Sequence, residues 1–187
     1  MQQDGVVEIA VVDKRRWPDL EQLFESRGGP KNCWCMIWRD MPERPQRTDG
    51  PSRKRALKGR VEAGQQVGLL AYLDGEPAAW CSVAPRPTFK RLGGVTYEGE
   101  PEEAVWSIVC FFVKRTARGR GIFERLLADA VEHARASGAA VVEAYPVDPD
   151  SPSYRFMGFV SAFQARGFKE VGRAGSRRHV LSLRADN

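Results

Sequence analysis

The stretch Lys114-Arg115-Thr116-Ala117-Arg118-Gly119-Arg120-Gly121-Ile122 holds the residues best suited to chemistry. Two glycines two positions apart allow a backbone turn with no Cβ in the way of a close anion. Arg118 and Arg120 add positive charge. An amphipathic run begins at Ile122, so the unpaired N–H groups and positive end of a helix face the same turn. Backbone donors, guanidinium groups and a helix terminus together make a site for a phosphate or pyrophosphate. It is not a Walker loop, because Gly-Lys-Ser/Thr is absent. It is not a dinucleotide fingerprint either, which needs three spaced glycines after the first strand.

Other reactive side chains are fewer. Glu143 lies in an otherwise apolar strand-like run, an unusual place for a carboxylate. It is a candidate general base, or a carboxylate paired with an arginine. With alternating side chains, Glu143 and Tyr145 point to one face. Glu98, Glu100 and Glu103 precede the longest apolar run and suit a solvated edge. Cys81 and Cys110 stand in apolar runs and read as buried thiols. Cys33 and Cys35 are too close for a zinc knuckle, and no second pair follows, so no metal is expected. Cys110 has no histidine near it in sequence to activate it.

These groups must be positioned by a fold. The 187 residues suffice for one compact domain, and 42% hydrophobic with 28% charged residues fits a globular chain. Alternation and apolar runs predict strands over 6–12, 67–73, 78–84, 105–113, 139–145, 168–173 and 178–183. Helical spacing predicts helices over 17–26, 51–63, 121–137 and 153–166, the last weakened by Gly158. The stripe Ile122, Leu126, Leu127, Ala130, Val131, Ala134 marks the buried face of the third. Asp74-Gly75-Glu76-Pro77 signals a hairpin. The run 105–113 is apolar throughout, as in a central strand buried on both faces. Together these give a mixed α/β (α+β) sandwich. The net charge of +5 comes from scattered basic residues without interleaved aromatics, so nucleic acid is not an expected partner. No apolar run suggests a leader or a membrane span, so the expected location is cytoplasmic.

The run from Val113 to Leu127 resembles the central motif of the GNAT acyltransferase superfamily, Arg/Gln-x-x-Gly-x-Gly/Ala. Arg118 and Gly121 match it, and Phe123 replaces the final small residue. Phe163-x-x-x-Gly167-Phe168 resembles the family's aromatic-x-x-x-Gly-Phe signature. The resemblance covers about residues 65–183. It implies a GNAT-like domain: residues 1–64 as acceptor-side helices, residues 65–187 as an acyl-CoA core. The sheet would be mixed, mostly antiparallel, of six to seven strands, with a V-shaped split between the fourth and fifth. The pantetheine arm would bond the backbone of Phe111, Phe112 and Val113 like an added strand. The diphosphate would sit over Arg118, Gly119, Arg120, Gly121, Ile122 and Phe123. Trp34, Met36 and Trp38 fall where the family places an acceptor-side wall, which aromatics would suit to an apolar or aromatic acceptor; a helix packed into the core is the other reading.

The implied activity is transfer of acetyl from acetyl-CoA, the cosubstrate, to a small primary amine by direct attack in a ternary complex. An alkylamine near pKa ~10.4 is protonated at neutral pH, so a base or water must remove a proton and an acid must meet the thiolate. The family's usual tyrosine is Phe163 here. Tyr145 and Tyr154 are the nearest replacements by sequence, with Ser151 and Ser153 weaker ones. The alternative is a GNAT-shaped module that binds acyl-CoA as a sensor without turnover. Either would be a monomer or a homodimer.

Overall fold

Two long apolar segments fix the frame. Strand β4, Val105–Val113, is buried over most of its length, and helix α3, Ile122–Ala136, packs on one of its faces. The α3 stripe of Ile122, Leu126, Leu127, Ala130, Val131 and Ala134 is buried against Trp106, Ile108 and Phe111, as the sequence predicts. The computed structural model describes residues 5–41 and 49–184. The remaining elements are β1 (Val7–Val11), α1 (Trp17–Glu25), α2 (Gly50–Glu62), β2 (Leu69–Leu73), β3 (Glu76–Pro85), β5 (Val141–Ala144), α4 (Val160–Gln164), β6 (Lys169–Ala174) and β7 (Arg178–Arg184).

The strands form one seven-stranded sheet in the order β1-β2-β3-β4-β5-β7-β6. Every neighbouring pair is antiparallel except β4–β5, which is parallel and linked by α3. The sheet is therefore mixed and mostly antiparallel, as expected. Between β2 and β3 the two loop residues Asp74 and Gly75 both have positive φ, 53° and 83°. That is the type I′ turn that matches strand twist, and β3 begins directly after it. The far face of the sheet is covered by α1, α2 and residues 34–36, where Trp17, Leu20, Phe24, Trp34 and Leu57 bury Leu70 and Trp80.

One of the two readings of residues 33–39, and the single helix expected over 153–166, fail for local reasons. Residues 33–39 do not form a helix. They run as successive turns, with Trp34 and Cys35 in the left-handed region at φ 47° and 50°. Residues 153–166 do not form one helix either. Arg155–Met157 make a 3-10 turn, Gly158 breaks the chain at φ 88°, and α4 follows as a short helix. The break is enforced by packing, since a Cβ on Gly158 would meet the fully buried Phe163 ring at 2.7 Å.

Gly158→Ala therefore combines an unfavourable positive φ with a core collision. We expect it to lower stability by about 1–3 kcal/mol. The midpoint of urea unfolding checks this; an unchanged midpoint would contradict it.

Candidate functional site

Strands β4 and β5 pair only from Val105↔Val141 to Ile108↔Ala144. Strand β5 stops there, while β4 runs on to Val113. A bulge accompanies the parting. Ser82 faces Cys110 and Val83 faces Ile108, leaving Val109 as an extra residue in β4. Bulges bend and twist a strand, and this one turns the rest of β4 away from the seam. Among the described residues, no strand pairs with the free edge of residues 109–113.

A trough of about 880 Å³ lies along that edge. Phe111, Phe112 and Val113 line it from β4; Ala117, Arg118, Gly119, Gly121, Ile122, Phe123 and Glu124 line it from the turn and α3. Gly119 and Gly121 have φ of 73° and 67°, so side chains would be strained in this turn. Helix α3 has no side-chain cap, and Arg125 N donates to Gly121 O at 3.1 Å. The N–H groups before Arg125 lie in the unpaired first turn. The exposed Arg118 donates from Nε to Val113 O at 3.1 Å, which fixes the turn to the end of β4. Of the nine residues expected to hold a cofactor, Arg120 is the one absent from the lining; it is exposed. Phe123 is half-buried, with its ring 4.6 Å from that of Phe111, so it packs on the core and still forms part of the wall. The opposite wall, Arg155, Phe156, Gly158, Phe159, Ser161 and Ala162, was not foreseen. Its signal was the glycine that weakens the predicted helix over 153–166.

Phe111, Phe112 and Phe156 also line a second cavity, an apolar chamber of about 140 Å³ adjoining the trough. Pro30, Cys33, Cys35, Ile37, Trp38, Val109 and Cys110 complete it. Of the expected acceptor wall, Trp38 is present. Trp34 and Met36 are instead core residues, each 2% exposed. Trp34 stacks on Trp17 at 5.8 Å and lies 5.1 Å from the Phe24 ring. The left-handed turn at 34–35 sends these side chains into the core and presents the neighbouring sulfurs to the chamber. Cys35 Sγ lies 3.0 Å from Cys110 Sγ and accepts from Trp80 Nε1 at 3.2 Å.

Glu143 and Tyr145 do share one face, but neither lines the trough or the chamber. Glu143 has no exposure. Its carboxylate accepts from Ser107 Oγ at 3.0 Å, Tyr97 Oη at 3.1 Å, Arg86 Nη1 at 3.2 Å and Tyr145 Oη. Residues 86–104 fold over the cluster, and a Cβ on Gly94 would sit 2.6 Å from Tyr145 Oη. Burial, reinforced by the Glu143 charge, pushes the Tyr145 hydroxyl far above the usual phenol range. Tyr145 is thus committed as a donor to Glu143 and unavailable as an acid. Tyr154 is elsewhere: half-buried, at φ 60°, with its ring 6.2 Å from Trp38 and 6.4 Å from Phe156. Phe163, in place of the family's tyrosine, is fully buried between Phe111 and Phe168. Among the described residues, no group of three or more His, Cys, Asp or Glu is placed to hold a metal, and no helix is long and apolar enough to cross a membrane.

The model of the acetyltransferase (GNAT) family matches residues 32–159. No curated protein matches the sequence. Solved structures share the fold at low identity. An N-acetyltransferase from Staphylococcus aureus Mu50 aligns with a TM-score of 0.58 and 13% identity, over 97% of this chain and 99% of its own. A Salmonella typhimurium protein assigned as an acetyltransferase, solved with its cofactor acetyl-CoA, gives 0.58 and 16% over 97% and 95%. A PaiA N-acetyltransferase from Thermoplasma acidophilum, in complex with coenzyme A, gives 0.58 and 13% over 96% and 99%.

The sealed carboxylate cluster has a measurable consequence. Glu143→Ala takes the shared acceptor from the hydroxyls of Ser107, Tyr97 and Tyr145 and one of two carboxylates from Arg86, which keeps Glu102 and Val95 O. We expect a loss of about 2–4 kcal/mol, because buried hydroxyls that lose a charged acceptor cost about 1–3 kcal/mol each and Arg86 stays paired with Glu102. Denaturant unfolding checks it, and a loss below about 1 kcal/mol would show that the cluster does not hold the seam.

Proposed function

This chain belongs to the GNAT acetyltransferase family, and from that premise we propose that it moves an acetyl group from acetyl-CoA to a primary amine of a small molecule, by direct attack with both substrates bound. The observation that carries the proposal is the trough, which joins a free strand edge to an uncapped, glycine-led helix terminus. An extended amide-containing arm can add to such an edge as a strand does. A diphosphate can take the N–H groups and the Arg118 charge at the other end. Acetyl-CoA has both parts in that order, and two proteins of the same fold are known in complex with acetyl-CoA or coenzyme A. When bound, it supplies an activated acyl group.

The chain's own residues then have three tasks. The β4 edge and the turn hold the donor in one orientation, which removes much of the entropic barrier to transfer. The bulge at Val109 places that edge beside the chamber, where the amine approaches. A hydroxyl must return a proton to the departing sulfur. With Tyr145 sealed away, we assign this role to Tyr154, whose ring stands beside the chamber residues Trp38 and Phe156.

The sensor reading has one observation in its favour: Glu143, Tyr145 and Phe163 are all buried away from the trough. Mass spectrometry of reactions with acetyl-CoA and a panel of amines separates the two. Coenzyme A release with an acetylated amine supports transfer. Tight acetyl-CoA binding with no product over a broad panel supports the sensor.

Arg118→Ala should raise KM for acetyl-CoA about tenfold or more, the value of one charge-assisted hydrogen bond, and leave kcat within about twofold. An unchanged KM would contradict the assigned diphosphate end. Tyr154→Phe should lower kcat by about 10²-fold at unchanged stability. Full activity would remove Tyr154 from the proton path.

A further inference from the structure

Resting on the acetyl-transfer reading, we propose that the acceptor is a weakly basic aromatic amine built on a single ring, with its ring seated in the chamber between Trp38, Phe156 and Cys110. Size is the first argument. The chamber holds about 140 Å³, close to the roughly 150 Å³ of an engineered apolar cavity that stays dry and binds benzene. Chemistry of the lining is the second. Aromatic faces and the sulfurs of Cys33, Cys35 and Cys110 surround the space, and sulfur packs well against aromatic rings. Among the described residues lining it, none is an Asp, Glu, His, Lys or Arg.

Charge is the third argument. An alkylammonium ion would lose its water there and meet no counter-charge. Nor do the described residues that line it include a base to neutralise it. Glu143 has no exposure and its carboxylate already accepts from four donors. The contact with Cys35, then burial, pushes the Cys33 thiol far up. The Cys35 thiol is raised chiefly through its contact with Cys110. Both keep their protons at neutral pH. Arg178 adds repulsion: its guanidinium lies 4.5 Å from the Trp38 ring. A cation therefore meets no counter-charge in this chamber, and its aromatic faces offset only part of the lost hydration.

An aromatic amine avoids that loss. Its lone pair is delocalised into the ring, so it is neutral at pH 7 and needs no base before attack. The nitrogen forms a bond to the acyl carbon, the carbon–sulfur bond breaks, and the proton shed by nitrogen ends on sulfur. The products are an anilide and the free thiol of coenzyme A, with no further reactant.

The test compares aniline with benzylamine, which carries a similar ring but is charged at neutral pH. At pH 7, kcat/KM for aniline should exceed that for benzylamine about tenfold or more, and the aniline profile should stay flat from about pH 6 to 9, well above its own titration. Separately from turnover, calorimetry should show aniline binding to the free protein. Cys33→Phe, at a half-buried position on the chamber wall, should abolish that binding while leaving acetyl-CoA affinity unchanged. Preference for benzylamine, no aniline binding, or acetyl-CoA binding without acetylation of aniline would each overturn the proposal. A preference for butyryl-CoA that Cys33→Phe removes would give the chamber to the acyl chain and overturn it too. Failure to bind acetyl-CoA at all would instead bring down the acetyl-transfer reading itself.

Discussion

The site depends on one buried carboxylate. Glu143 on β5 and Ser107 on β4 are register partners and are bonded to each other, one residue pair before the strands part. Arg86 and Tyr97 reach the same carboxylate from the covering segment, and Tyr145 from the chain just past β5. An unpaired charge at this depth would cost several kcal/mol, so all four donors must be in place together. Their convergence pins the parallel seam and holds residues 86–104 over it. Beyond that pin, the Val109 bulge bends β4 away and β5 ends. The trough exists because the seam is firm on one side of this point and absent on the other.

Seen this way, Glu143 serves the site by position and not by chemistry. The same face of the sheet that sequence alternation assigned to Glu143 and Tyr145 is indeed shared by them, yet the covering segment closes it from both cavities. The trough is left with backbone donors and the side chains of Arg118 and Arg155, and the chamber beside it is apolar. A site so arranged binds and orients well but supplies little acid–base help. That balance fits an acceptor that arrives uncharged.

The frame was legible in the sequence because its signals are local. The α3 stripe has helical period, the 105–113 run is apolar throughout, and Asp74-Gly75 is a turn signature within four residues. The glycine turn after β4 was legible for the same reason, and with it eight of the nine residues expected at the cofactor end line the trough. What stayed hidden is non-local. In a strand apolar on both faces, alternation cannot register an inserted residue, so the bulge at Val109 left no trace. Arg86 and Tyr97 lie 57 and 46 residues from Glu143, and only the folded covering segment brings them to it. The positive φ at Trp34 and Cys35 reverses which side chains of 33–39 face inward, so Trp34 and Met36 went to the core. The Arg155–Ala162 wall was hidden by reading one helix where Gly158 makes two pieces.

Hydrogen exchange of backbone amides with and without acetyl-CoA tests the central claim most directly, because the claim concerns backbone donors. The account predicts added protection at residues 109–113, on the free edge of β4, and at residues 119–124, in the turn and first turn of α3, with the β4–β5 seam at 141–144 unchanged. Protection confined to other segments, or none at saturating acetyl-CoA, would contradict it.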